Sequence, residues 1–158
     1  MNPDLKTRVK TIFGNPAWVC FTWFGMTAGV SMLATPLRFS AETITRSIAL
    51  DVGRVVFAGL NKAEFVALIV LLVLIRFSGQ TRKLWALALV LAAILIAQGT
   101  WLLPELAAST DLIIAGIEPE PSIAHGAYSI MELTKLGLLF YMGYRSMNLL
   151  ADGRHQTR

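Results

Sequence analysis

The chain has 158 residues, of which 55% are hydrophobic and 15% are charged, whereas an average soluble domain is about 25% charged. The formal net charge is +4, but the basic residues flank long apolar runs, which argues against nucleic acid as a partner. We therefore predict a single integral membrane domain over residues 1–158, with the lipid bilayer as its first partner.

Four apolar segments are long enough to cross a bilayer, which needs about 20 mostly apolar residues. The predicted fold class is all-α, a four-helix transmembrane bundle with helices at about 17–37, 57–77, 84–103 and 127–147. Pro36 lies near the end of the first helix, and Pro104 is expected to stop the third. The short link Ser78-Gly79-Gln80 predicts that the second and third helices form an antiparallel hairpin.

The positions of Lys and Arg near the helix ends predict the orientation, because basic loops stay in the cytoplasm. One side of the membrane carries Lys6, Arg8, Lys10, Arg76, Arg82, Lys83, Arg145, Arg154 and Arg158. The other side has fewer basic residues, and its loop 104–124 is acidic and contains neither Lys nor Arg. Both termini are therefore predicted to be cytoplasmic. In a bacterium this places a multi-pass protein in the inner membrane.

Polar residues interrupt three of the predicted helices, and ionisable residues within a span usually face the interior of the bundle. Their spacings of three, four or seven place them on one face of each helix. All three polar faces fall in the outer half of the membrane. Together they predict an outward-facing, ligand-binding polar pocket lined by Asn61, Glu64, Gln98, Trp101, His125, Tyr128, Glu132 and Lys135.

The same residues allow a purely structural interpretation. Glu132 and Lys135 could neutralise each other, or could pair with Lys62 and Glu64 and hold the second and fourth helices in register. The alternative is a pocket that binds a metal ion, a proton or a small polar ligand.

The candidate metal ligands are His125, Glu132 and Glu64, because nitrogen plus carboxylates suits zinc, manganese or iron. A divalent metal is thus a candidate cofactor, although no HExxH motif supports it. A bis-histidine haem within one chain is not expected, since His155 falls in the cytoplasmic tail, across the membrane from His125. The single Cys20 excludes an intramolecular disulfide and a thiolate metal cage.

Gly25 and Gly29 give the first helix a face of small residues, four apart. This face predicts close packing inside the bundle or, as the alternative, a homo-oligomer. The acidic outer loop could also dock partners in a membrane complex.

Several short motifs resemble those of a group of small, uncharacterised, four-helix bacterial inner-membrane proteins. They are Trp23-Phe24-Gly25, Thr35-Pro36, Val52-Gly53-Arg54 with Asn61 and Glu64, and His125 with Glu132 and Lys135. The resemblance implies a fold and a location, and it implies no reaction.

Three functions remain open, and a non-enzymatic one is favoured. The first is a membrane protein whose outer pocket binds or conducts an ion or small polar solute within a larger assembly. The second is a structural or assembly subunit in which the charge pairs serve packing. The third is a membrane enzyme acting on a lipid or quinone, with Glu132 or Glu64 as general base and His125 as acid. It lacks a recognised nucleophile.

Overall fold

The computed structural model describes residues 14–78 and 82–155, and every regular element in those ranges is helical. The helices are α1 (Ala17–Phe39), α2 (Arg46–Phe77), α3 (Arg82–Ile114) and α4 (Ala124–His155). The prediction of an all-α fold with four helices is confirmed. Most of the predicted Ser78-Gly79-Gln80 link lies outside the described residues, as do Lys6, Arg8, Lys10 and Arg158.

Three helices of the described chain are long and apolar enough to cross a membrane, by length and composition, namely α1, α2 and α3. The fourth helix, α4, carries Glu132 and Lys135 and is not among them. It nevertheless packs against α1 and α3, and α2 likewise contacts α1 and α3, so each helix has two neighbours. We call the end with the α1–α2 and α3–α4 connections the distal end, and the opposite end the proximal end.

Two of the helices extend well past the predicted spans at the distal end. The helix α2 begins at Arg46, where the Thr45 side chain accepts the Ile48 N–H at 3.4 Å as an N-cap. Its 32 residues correspond to roughly 48 Å at 1.5 Å per residue, more than the roughly 30 Å of a hydrocarbon core. The first part of the predicted acidic loop, residues 104–114, is helical and belongs to α3.

The helices α1 and α3 continue through Pro36 and Pro104 because each contains a π-helical segment just before its proline. These segments are Gly29–Ala34 in α1 and Gln98–Leu102 in α3. A proline ring clashes with the carbonyl four residues earlier in a regular α-helix. The wider π turn, with i→i+5 hydrogen bonds, gives that carbonyl a different position. The prolines therefore adjust these helices without ending them.

The buried residues form two apolar clusters with a polar layer between them. The proximal cluster is larger and consists of Val19, Cys20, Trp23, Leu68, Leu71, Ile75, Leu84, Ala88, Leu91, Leu95, Leu139 and Met142. The distal cluster is formed by Leu102, Ala124 and Tyr128.

The molecule is apolar outside and charged inside. Val66, Leu89 and Ile130 are 61%, 64% and 67% exposed, whereas Glu64 and Lys135 are fully buried. Such a surface is unfavourable in water, where large exposed apolar patches are rare. Fully buried charges are equally rare unless they are paired. The arrangement suits a protein whose outer surface meets lipid.

Two glycines of α4 provide a matched test of helix packing. A Cβ at Gly143 would lie 2.8 Å from Cζ of Phe21 in α1, whereas a Cβ at Gly137 would meet no atom within 4 Å. We expect Gly143→Ala to lower the stability by about 1–3 kcal/mol, since the Phe21 ring must move. Gly137→Ala should leave it unchanged or slightly raised. Thermal unfolding in detergent measures both, and equal effects would contradict the α1–α4 contact.

Candidate functional site

The centre of the polar layer is the ammonium group of Lys135, which is fully buried on α4. Its Nζ donates to the carboxylates of Glu64 and Glu132 at 2.7 and 2.6 Å and to Oε1 of Gln98 at 3.1 Å. An ammonium group has three protons. Each of them therefore has an acceptor, two of which are charged.

The carboxylate of Glu64 on α2 is held from three directions. Its Oε1 accepts a hydrogen bond from Nε1 of Trp23 at 2.9 Å and another from Oγ1 of Thr27 at 2.7 Å. Its other side faces Lys135. Trp23, Thr27 and Glu64 are all buried, so these bonds replace the water that an ionised carboxylate needs.

The carboxylate of Glu132 on α4 has a different set of partners. Its Oε1 accepts from Lys135 and from Nε2 of Gln98 at 2.9 Å, and its Oε2 accepts from Oγ of Ser31 at 2.7 Å. Ser31 and Gln98 both lie in the π-helical segments. Each of the two irregular turns therefore presents one polar side chain to the same carboxylate.

We call Trp23, Thr27, Ser31, Glu64, Gln98, Glu132 and Lys135 the buried network. Residues of all four helices belong to it. Its ionisable members are two carboxylic acids and one amine, so the formal charge is −1 when all three are ionised. Lys62, the other lysine of the predicted pairings, is exposed and has no ion pair among the described residues.

Four of the eight predicted pocket residues are joined directly by hydrogen bonds: Glu64, Gln98, Glu132 and Lys135. Asn61 lies beside them and donates to the backbone carbonyl of Leu95 at 3.3 Å. Tyr128 is buried and packs edge-on against Phe57, with ring centroids 5.3 Å apart.

The remaining two predicted residues do not belong to the buried network. Trp101 is 49% exposed on α3, and His125 is exposed near the start of α4. The prediction that Trp101 lies on the same face as Gln98 was based on the spacing of a regular α-helix. The π segment adds a residue to the turn, so side chains beyond it no longer share that face.

Sequence reasoning missed the contribution of α1. Trp23, Thr27 and Ser31 are spaced four apart, which is a face of hydrogen-bond donors within an apolar helix. That spacing alone indicates that the three donors share one face of α1.

The Gly25 and Gly29 face lies elsewhere on α1, and a Cβ at either glycine would meet no atom within 4 Å. The predicted close packing inside the bundle is therefore not found there.

The predicted metal ligands His125, Glu132 and Glu64 do not assemble. Across residues 14–78 and 82–155, no group of three or more His, Cys, Asp or Glu side chains is arranged to hold a metal ion. The space between the two carboxylates is taken by the Lys135 ammonium. Coulomb repulsion from this cation opposes a second cation between them.

A large cavity lies on the distal side of the buried network, and we call it the distal chamber. Its volume is 1080 Å³, and its lining comes from residues 31–39 of α1, 50–62 of α2, 99–110 of α3 and 125–133 of α4. Ser31, Asn61 and Glu132 lie at its network end. Arg38, Arg54 and His125 line it further towards the distal end. The buried network therefore forms the floor of a chamber with mostly apolar walls.

Comparisons of the chain with protein-family models, with curated proteins and with solved structures gave no match.

Removal of Lys135 tests the electrostatic role of the network. Lys135→Met leaves two buried carboxylates without their cation, and we expect a loss of about 3–5 kcal/mol of stability. Lys62→Met removes an exposed lysine of α2 and should change the stability by less than about 0.5 kcal/mol. Unfolding of both variants in the same detergent gives the comparison. Similar midpoints for the two variants would contradict the observed pairing.

Proposed function

We propose that the protein is a bacterial inner-membrane protein with four transmembrane helices and both termini in the cytoplasm. Three helices support this by length and composition, and α4 lies alongside α1 and α3 with its central charges paired in the buried network. Arg76 and Arg82 lie at the proximal end, which the preference for basic residues in cytoplasmic loops assigns to the cytoplasm. The distal chamber then faces the periplasmic half of the membrane.

We propose further that the distal chamber binds a proton or a small monovalent cation at Glu132. The observation that carries this proposal is the formal charge of the buried network, in which two carboxylates share one ammonium. An uncompensated charge in a low-dielectric interior is costly. One further positive charge balances it.

Glu132 is the better of the two carboxylates for this role. It lines the chamber, whereas Glu64 does not. Its Oε2 is held by the Ser31 hydroxyl, which can either donate or accept a hydrogen bond. Ser31 can therefore accommodate a proton on Glu132 by reversing the bond, or a cation by turning away. Glu64 Oε1 accepts from the indole of Trp23, which can only donate.

The packing favours binding over conduction. On the proximal side of the network, the buried cluster next to it consists of Leu, Ile, Ala, Val and Met, together with Cys20 and Trp23. An ion passing through this cluster would lose its hydration without polar replacement. Ions therefore enter and leave the site through the chamber.

The second candidate function is a structural subunit, and one observation favours it. The buried network joins all four helices, and each proton of Lys135 already has an acceptor. Such a network could serve helix packing alone, with the protein acting as an assembly subunit. The two candidates differ in whether the network responds to added cations.

Trp23 provides the test, because its indole bonds directly to Glu64. In a protein that keeps Trp23 and carries Phe at positions 18, 85 and 101, we expect its fluorescence to change with acidification or with added Na⁺ or K⁺. Glu132→Gln leaves one carboxylate for one ammonium, so this variant should stay folded and lose the response. Glu64→Gln should be less stable than Glu132→Gln, because the Trp23 indole can only donate to residue 64, whereas the Ser31 hydroxyl can donate to or accept from residue 132.

Choline chloride at equal ionic strength controls for screening of charges. A Trp23 signal that ignores protons, Na⁺ and K⁺, or that responds equally in Glu132→Gln, would contradict cation binding. The structural function would then be the better explanation.

The proposed orientation predicts the behaviour of reporter fusions. A reporter enzyme that is active only in the periplasm should be silent after Arg158 and active when inserted between Glu118 and Glu120, because those sites lie on opposite sides. Activity after Arg158 would reverse the orientation and move the chamber to the cytoplasmic half.

A further inference from the structure

The distal chamber is larger and more apolar than a site for a proton or a cation requires. Small-molecule pockets are typically about 300–1,000 Å³, and this chamber reaches 1080 Å³. Its walls include Met32, Phe57, Leu103, Leu106 and Leu133. The bulk of the chamber therefore suits an apolar body.

The walls of the chamber continue into the outer surface of the protein. Met32, Val55 and Leu133 line the chamber and are also 46%, 67% and 58% exposed. They belong to α1, α2 and α4. A molecule dissolved in the surrounding lipid can reach the chamber across these side chains without entering water.

Two of the cations that line the chamber, Lys62 and Arg38, form no ion pair among the described residues. Arg38 lines the chamber at the end of α1, whereas Arg54, also in the lining, pairs with Asp51 and Asp111. The Arg38 guanidinium lies 5.1 Å from the ring centroid of Phe39. Its Nε is buried and has no hydrogen-bond partner in the described part of the chain.

A glycine leaves room for this guanidinium against α2. A Cβ at Gly53 of α2 would lie 2.7 Å from Nη2 of Arg38 and 2.9 Å from Nη1. Only a residue without a side chain lets the guanidinium lie against α2 at this point. The guanidinium therefore lies beside Gly53 in the lining of the chamber, where its planar set of donors can bind a phosphate at two points.

We propose that the distal chamber binds an anionic phospholipid from the surrounding leaflet. The phosphate lies on Arg38, and an acyl chain lies among Met32, Phe57, Leu103 and Leu133. The apolar walls and the exposed apolar rim favour a lipid over a free anion, and the unpaired charge of Arg38 favours an anionic head group. This inference goes beyond the cation site, because Ser31 and Arg38 are seven residues apart, roughly 10 Å along the helix.

Native mass spectrometry of the detergent-purified protein tests the proposal. Phosphatidylglycerol, phosphatidylcholine and inorganic phosphate are added separately. We expect the wild-type protein to retain one phosphatidylglycerol at least about tenfold more tightly than phosphatidylcholine, as one charge-assisted contact implies. Arg38→Gln should lose this preference. Arg46→Gln removes an arginine outside the chamber lining and should keep it.

A second pair of variants moves the guanidinium without removing it. Gly53→Ala displaces Arg38 and should weaken the retention of phosphatidylglycerol. Gly59→Ala adds the same methyl group to α2, also at the chamber, where no atom lies within 4 Å, and should not weaken it. If Arg38→Gln fails to fold, this pair decides the question.

Three results would overturn the proposal. They are equal retention of both lipids by the wild-type protein, undiminished retention by Arg38→Gln, and displacement of phosphatidylglycerol by an equal concentration of inorganic phosphate.

Glu132→Gln should leave lipid retention unchanged, and Arg38→Gln should leave the cation response of Trp23 unchanged. Failure of the lipid site is therefore distinguishable from failure of the cation site.

Discussion

The structure depends on a single buried cation. Lys135 lies where the four helices meet, and its three protons bind groups on α2, α3 and α4. Because a buried charge is stable only with partners, each neighbouring helix must place an acceptor or a supporting donor at this level. The positions of Glu64, Gln98 and the donors of α1 follow from this requirement, and so does the separation of the apolar interior into two clusters.

The two π-helical segments connect this constraint to the shape of the distal half. Each segment precedes a proline, and each directs one polar side chain, Ser31 or Gln98, to Glu132. The same prolines and wide turns lie beside the chamber, which is lined by residues of both helices beyond the network. Local sequence features that break regular helix geometry therefore build both the floor and the walls of the proposed binding site.

The floor and the distal part of the chamber have opposite electrostatic character. The network has one more carboxylate than ammonium groups, whereas Arg38 contributes a positive charge without an acidic partner in the described residues. These charges lie at different levels of one cavity with apolar walls. The proposed cation and lipid sites can thus be occupied together.

The sequence by itself determined an all-α fold of four helices and the identity of Glu64, Gln98, Glu132 and Lys135 as interior polar residues. It predicted four membrane-spanning helices, of which α1, α2 and α3 are long and apolar enough to cross a membrane. Hydropathy and spacing carry this information, because lipid tolerates charges only where neighbours can pair them. Only the tertiary structure decided which groups meet. Because of a π turn, Trp101 does not share a face with Gln98. The Lys135 ammonium lies between the two carboxylates that were predicted to bind a metal. Charge patterning could not predict the contribution of Trp23, Thr27 and Ser31, since it depends on which face of α1 meets α2 and α4.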